Sequence, residues 1–567
     1  MYGKLKTKNY PLYEVRPVKD LRALIDDTAE LFGDKLAFRY RDKGVAGQIS
    51  YKDFKYSVDS FGTALCSLGL DGKHIAIIGE NSFKWALSFL TTLNLNGIVV
   101  PVDKELSPDE IAYILNKGDV DAIIYAGGKT AKKIAEARTS CGRITHYICM
   151  DSADAGDDLK LDELLKKGGE LLDSGDRTFV SITDRDITKT KEIMFTSGTT
   201  GRPKGVMITE EALIVNIISS QRIMHITDCC LSVLPYHHAY ESTTGILTML
   251  HNGMTICIND SLRNLMSDFE LYKPTEMQIV PLFAEKMYRR VWDTAEEQGK
   301  AKKLRFALKL SRFLLALGID MREKLFADVR KAFGGRLNIF ISGGAPLKKE
   351  IAEFFYGIGI ILINGYGITE CAPLISINRP EFANFESVGV VVPGLELRVD
   401  KPNENGEGEF CVRGKNVFKG YYKDEDATSS AIIDGWFHTG DIGRVDANGF
   451  LHITGRIKNL IILKNGENVS PEELEEKLMF ATELISEVVV SAMTDDESGE
   501  KVLGVEIFPM LERAEKLGVT DAEAAIRKVV ADYNASAAAH KRIKKIVFRS
   551  TEFEKTSSKK IKRKYDK

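Results

Sequence analysis

Apolar positions in the first third of the chain gather into short unbroken runs: IAIIG at 75–79, GIVVPVD at 97–103, DAIIYAG at 121–127 and THYICMD at 145–151. Runs this short and this rich in β-branched residues predict strands. Between them the spacing turns helical, as in SPDEIAYILNKGD at 107–119, and strands alternating with helices predict parallel βαβ units. A second series follows with EIMF (192–195), LSVLP (231–235), MTICIND (254–260), MQIVP (277–281), LNIFISGG (337–344) and GIILINGYG (359–367). Two related α/β sheets are expected.

After about residue 385 helical spacing gives way to turn-rich strands, as in GLELRVDKPNENGEGEFCVRG at 394–414, where Pro402, Asn403, Asn405 and Gly406 supply turn chemistry. Beyond Gly455, Ser470-Pro471-Glu472-Glu473 reads as a helix start with a capping box and proline at the first helical position. The expected fold class is α/β. A large domain over 1–457 holds two α/β sheets and then a β-rich subdomain, and a small mobile α+β domain covers 458–567. No low-complexity tether separates the two, so a short hinge is expected to join them.

The 567 residues are 44% hydrophobic, enough for a large core, and a net charge of -3 gives no molecule-wide footprint for nucleic acid. Eight cysteines from Cys66 to Cys411 show no CxxC spacing, which fits neither a zinc cage nor a disulfide framework. Free thiols in a reducing cytoplasm are expected. The start MYGKLKTKNYPLYEVRP lacks a hydrophobic signal core, and the apolar stretch from Trp85 to Val102 is broken by Ser, Thr and Asn. Neither secretion nor membrane spanning is expected. In AKKLRFALKLSRFLLALGIDMREKL (301–325), Arg305, Lys309 and Arg312 share one helical face, and Leu304, Ala307, Leu308, Leu314 and Leu315 the other. That apolar face is expected to pack on the core, with peripheral contact to an anionic membrane as the alternative.

The densest chemistry lies in IMFTSGTTGRPKGVMIT at 193–209. Glycines 198, 201 and 205 permit close backbone approach, while Thr196, Ser197, Thr199, Thr200 and Lys204 offer hydroxyl, amide and ammonium donors to phosphate oxygens. It is not a Walker A loop, because Pro203 stands where that pattern needs glycine and Gly205 follows the lysine. TSGTTGRPKG resembles the signature phosphate loop of the AMP-forming acyl-adenylate synthetases. Further motifs of that superfamily follow in order: SGGAPL (342–347), NGYGITE (364–370), GWFHTGDIG (435–443), GRIKN (455–459), ILKNGENVSPEELE (462–475) and TSSKKIKRK (556–564).

The resemblance implies a role for each motif. Gly344, Ala345, Tyr366 and Gly367 would flank the adenine, Thr369 would touch the α-phosphate, and Glu370 with Thr196 would hold magnesium. A lone acid at such a position is otherwise a helix-start residue favoured by the dipole. Asp441 would accept from both ribose hydroxyls, and Arg456 would reach the same sugar. Lys458 would be the hinge of domain rotation, and Gly466 would line the pantetheine tunnel. Lys560 would bridge the substrate carboxylate and the α-phosphate; Lys559 stands where many members have glycine and is the competing assignment. LPYHHAYEST (234–243) resembles the long-chain acyl-CoA synthetase pattern of Pro235, His238 and Glu241, with His238 bordering the acyl pocket. Adjacent histidines are expected to diverge, which disfavours a zinc pair at His237 and His238. Ala239 stands where amino-acid-activating relatives carry aspartate, and segment 301–325 resembles a helical insertion of long-chain enzymes.

The expected reaction uses ATP, Mg2+ and coenzyme A to convert a carboxylic acid, chiefly a medium- to long-chain fatty acid, to acyl-AMP and then to a thioester. Alternatives are a carrier-protein phosphopantetheine as acceptor, an aryl acid as substrate, or a nucleotide-binding regulatory protein without turnover.

Overall fold

The computed structural model describes residues 2–42, 44–183, 185–196, 203–226, 228–259, 261–462, 468–494, 501–555 and 561. The chain forms two compact units, 1–396 with 412–437, and 397–411 with 438–567.

In the first unit, a seven-stranded sheet contains His74–Ile78, Ile98–Val102, Ala122–Tyr125 and His146–Cys149 as a parallel core. These are the four runs of the first sequence series. The helix Pro108–Lys117 between two of them starts on a capping box, with the Ser107 hydroxyl accepting from Glu110 N and the Glu110 carboxylate accepting from Ser107 N. Ala76, Ile78, Val100, Ile111, Ile123 and their neighbours pack the core on this side.

A nine-stranded sheet takes the second series, in the spatial order Val390–Val391, Leu374–Ile377, Ile361–Gly367, Ile339–Ser342, Glu276–Ile279, Cys229–Ser232, Thr255–Ile258, Leu36–Asp42 and Val45–Ser50. One member of that series belongs elsewhere. EIMF lies in Thr190–Thr196, which pairs with Ile98–Val102 through Val99 and Glu192 and with Lys204–Thr209 as an antiparallel hairpin, so it closes the edge of the first sheet. Hairpin closure across the short 197–203 connection outweighs the run's resemblance to its later neighbours.

The β-rich region consists of Leu395–Asp400, Gly408–Gly414, Ile432–Ile433, Trp436–Val445 and Leu451–Arg456 in one sheet. Its turn at 402–406 is held by the Asn403 side chain, which accepts from Asn405 N and Glu407 N, with Gly406 at φ +75°. In the second unit the sheet of Ile485–Thr494, Lys501–Pro509 and Lys545–Phe548 packs on the helices Pro471–Ala481 and Ala522–Ser536 through Leu474, Leu478, Val488, Val505, Ile507, Ile526 and Val530. Pro471 stands at the first helical position as expected, but the capping box does not form. Ser470 Oγ donates to Glu472 Oε2 at 3.1 Å, and Glu473 is drawn instead to the ammonium groups of Lys477 and Lys541, 2.7 Å from each.

Candidate functional site

Thr196 and Lys204 are register partners, so the hairpin strands hold the two ends of the segment expected to bind phosphate side by side. The loop residues Ser197, Gly198, Thr199, Thr200 and Gly201 lie outside the described residues. A second segment, 418–422, is laced to the outgoing strand: Lys419 N donates to Met207 O, Met207 N to Gly420 O and Tyr422 N to Gly205 O, over 2.7–3.0 Å. A Cβ at Gly205 would come within 2.9 Å of the Ile193 side chain, so glycine lets these backbones close up.

The same segment reaches Glu370. Phe418 N donates to Glu370 O at 2.7 Å, and the Tyr421 hydroxyl donates to Glu370 Oε1 at 2.9 Å, while Lys204 Nζ sits 5.0 Å from the centroid of the Tyr421 ring. Tyr421 thus links the two charged groups: its ring faces the ammonium, a cation–π geometry, and its phenol orients the carboxylate. Burial and the neighbouring Glu370 raise the Tyr421 phenol well above its ordinary range, so it stays a donor.

Glu370 is placed by the backbone before it. The strand Ile361–Gly367 leads into the short 3-10 turn Thr369–Cys371, and a Cβ at Gly367 would lie 2.3 Å from Pro373 O, a position only glycine fills. Buried Asn216 clamps the far side of the turn, its Nδ2 donating to Cys371 O and its Oδ1 accepting from Leu374 N, each at 3.0 Å. Tyr366 is buried, whereas Gly344 and Ala345 are exposed after the strand Ile339–Ser342, with Gly344 at φ +82°. Next to them, the Tyr240 hydroxyl donates to Ile341 O at 2.8 Å, and a Cβ on Gly343 would touch the Tyr240 ring at 3.4 Å.

Tyr240 opens the π-helix Tyr240–Leu247, which carries Glu241 inward. His237 and His238, in the turn before it, do not diverge; their ring centroids are 4.3 Å apart, because a turn rather than a strand presents them. Burial and the adjacent His238 lower the His237 pKa to about 3, so that ring is neutral. Glu241 is fully buried and accepts from Ser232 Oγ at 2.5 Å, and Gly245 leaves room for its carboxyl, which a Cβ there would approach to 2.7 Å. Beside it lies Glu276, also buried, and a cavity of about 10 Å3 is bounded by Ser232, Glu241, Gly245, Glu276 and Gln278. Burial pushes both carboxyls up to about 8. Glu241 belongs to the Pro235, His238 and Glu241 pattern read from sequence, but neither its partner Glu276 nor Tyr421 was singled out there. The signal for Glu276 is an acid opening the apolar run MQIVP; Tyr421 has none.

In the second unit Asp441 and Arg456 are register partners on adjacent strands, and Arg456 Nε lies 2.7 Å from Asp441 Oδ1. The turn before Asp441 is tied down from behind: Glu409 accepts from Gly440 N at 2.9 Å and from His438 Nδ1 at 2.7 Å, and Thr439 Oγ1 donates to Phe410 O at 2.7 Å. With Cys411 these residues bring an O, an N and an S donor within 4.8 Å of one another, the one such cluster among the described residues and one that cysteine spacing alone hides. Burial raises the Cys411 thiol to about 11 and His438 is engaged by Glu409, so the group stands as a closed hydrogen-bond network. Lys458 lies exposed in the 3-10 turn Ile457–Asn459. Gly466, Lys559 and Lys560 lie outside the described residues.

Residues 25–422 match the family model of the AMP-binding enzymes, and residues 458–565 match that of the AMP-binding enzyme C-terminal domain. The chain belongs to the AMP-binding enzyme family. Among its relatives are the long-chain-fatty-acid–CoA ligase FadD15 of Mycobacterium bovis, 29% identical over 79% of this chain and 76% of that one, and long-chain-fatty-acid–CoA ligase 1 of Cavia porcellus, 30% identical over 78% and 67%. The anthranilate CoA ligase AuaEII shares the fold with a TM-score of 0.75 at 19% identity, over 97% of this chain and 96% of that one. This AMP-binding enzyme is thus an AMP-forming acid–thiol ligase with a large sheet-bearing N-terminal part and a C-terminal domain. Among the described residues, no helix is long and apolar enough to cross a membrane.

Proposed function

We propose that the chain joins a medium- to long-chain fatty acid to coenzyme A through an acyl-adenylate. The observation carrying this reading is the linkage of Lys204 and Glu370 through Tyr421, a cation and an anion held next to the phosphate-loop hairpin. The names of the relatives support the fatty-acid substrate. Lys204, Thr196, Ser197, Thr199 and Thr200 offer donors to the polyphosphate of ATP, with Gly198 and Gly201 allowing close approach. Gly344, Ala345, Tyr366 and Gly367 flank the base, and Asp441 and Arg456 take the ribose.

Glu370 and Thr196 present hard oxygen donors suited to Mg2+, which when bound would neutralise phosphate charge. Thr369 and Lys560 steer the attacking carboxylate and the α-phosphate, two anions whose approach needs positive charge aimed at the developing transition state. His238 borders the acyl chain. Rotation at Lys458 then brings Gly466 to the pantetheine arm, and the thiol displaces AMP.

Pyrophosphate release over a panel of acids, with and without coenzyme A, tests the reading. Saturated fatty acids of medium to long chain should give the highest kcat/KM, and thioester should form only when coenzyme A is present. Highest kcat/KM on anthranilate or other aryl acids, thioester formed only on a holo carrier protein, or no pyrophosphate from any acid would overturn it.

A further inference from the structure

The helix Ala301–Ala316 has an inward and an outward apolar face. Leu304, Ser311 and Leu315 are buried, with Ala307 and Leu308 packed at the margin of the core, as the helical spacing predicts. On the opposite side Phe306, Phe313 and Leu317 are 68%, 62% and 62% exposed. At about 100° per residue these three lie within roughly 40° of one another, a stripe some 17 Å long. Packing on the core does not explain it.

Along its own segment the stripe is accompanied by charge of one sign. Residues 298–319 contain Lys300, Lys302, Lys303, Arg305, Lys309 and Arg312 and no aspartate or glutamate, on a chain whose net charge is -3. Two of the cations are engaged, Arg305 over the Trp292 ring and Arg312 with Glu353 at 3.2 Å. Lys302, Lys303 and Lys309 form no ion pair among the described residues, and on the helical wheel they fall within about 60° of Phe306. Glycines of positive φ bracket the helix, Gly299 at +66° and Gly318 at +82°, so it stands as a discrete segment.

We propose that the outward face of this helix docks on an anionic lipid bilayer, lying in the interface with the aromatic stripe inserted and the lysines on headgroup phosphates. Exposed aromatics among unpaired cations complement a surface that is apolar beneath and negative at its rim. With no membrane-crossing helix among the described residues, the attachment made by this face is peripheral. Its use, drawing a lipid-soluble acid from the membrane, rests on the fatty-acid reading; the docking itself does not.

The test is co-sedimentation of the full chain with vesicles of phosphatidylcholine alone and of phosphatidylcholine with phosphatidylglycerol, without substrates. The wild type should partition onto the anionic vesicles and come off as salt is raised. Each lysine removed should cost about five-fold in partition. The F306S/F313S variant should lose at least about ten-fold even at low salt, and the K302E/K303E/K309E variant should lose both partition and its salt dependence. Circular dichroism and pyrophosphate release with a short, soluble acid should match wild type in both, since neither variant touches a buried residue. Absence of partition, equal partition onto neutral vesicles, or variants that bind like wild type would overturn the proposal, as would a change in self-association in place of vesicle binding. Vesicle binding that persists while no fatty acid is turned over would instead fault the substrate reading.

Discussion

Replacing Glu276 with glutamine should stabilise the large unit above neutrality and bring no gain at pH 5. Glu276 is 1% exposed, neither carboxyl oxygen has a hydrogen-bond partner among the described residues, and burial, reinforced by Glu241, pushes its pKa up to about 8. In the unfolded chain a glutamate titrates near about 4.3. Between the two values the unfolded state has released a proton that the folded state keeps, so stability falls as pH rises, by about 1.4 kcal/mol per pH unit. The contribution is complete below the unfolded pKa and is gone once pH passes the folded one. From pH 5 to 7.5 one such group costs about 3 kcal/mol. Glutamine cannot ionise. At pH 5 the variant should be about 1 kcal/mol weaker, having exchanged a neutral acid for an amide in a site shaped for the acid. At pH 8 it should be about 2–3 kcal/mol stronger. Glu192 and Glu241, each fully buried and raised to about 8, keep part of the slope in the variant. Urea denaturation followed by tryptophan fluorescence at pH 5, 6, 7 and 8 reads the difference, because Trp85 and Trp292 both report on this unit. Parallel profiles for variant and wild type would mean that Glu276 ionises in the fold, and the reasoning would fail.

Tyr421→Phe keeps the ring beside Lys204 and deletes the donor to Glu370; kcat/KM for ATP should fall about five-fold, for a hydrogen bond worth about 1 kcal/mol, with little change in Tm. Asp441→Ala frees Arg456 and removes the acceptor proposed for the ribose, and should raise the KM for ATP about ten-fold or more in steady-state assays. Lys560→Ala should slow pyrophosphate release by at least about 100-fold while sparing thioester formation from supplied acyl-AMP; if Lys559→Ala shows that pattern instead, the two lysines exchange roles. Lys458→Pro should leave single-turnover adenylation near wild type and slow thioester formation, the mark of a hinge.

Sequence pattern reports what each segment must bury, and says much less about which partner buries it. The runs at 75–79, 97–103, 121–127 and 145–151 became strands because an unbroken β-branched stretch has few other ways to hide both faces. EIMF looks the same locally, and only its hairpin with Lys204–Thr209 assigns it to the first sheet. The same limit governs the site. Thr196 and Lys204 could be paired from one motif, and Asp441 and Arg456 from two motifs close in the chain, whereas Tyr421 joins Glu370 to Lys204 across segments that no local spacing connects. Glu276 was hidden for a related reason: an acid beside an apolar run reads as the end of a strand, and only the nine-stranded sheet, with the Glu241 helix packed over it, removes that acid from water. Helix Ala301–Ala316 is the reverse case. Its inward face was legible from spacing, yet Phe306 and Phe313 stood out only once packing had left them uncovered. Residues whose environment contradicts their local pattern are therefore where experiment is most informative: the buried acids in stability, Tyr421 in turnover and the exposed phenylalanines in binding.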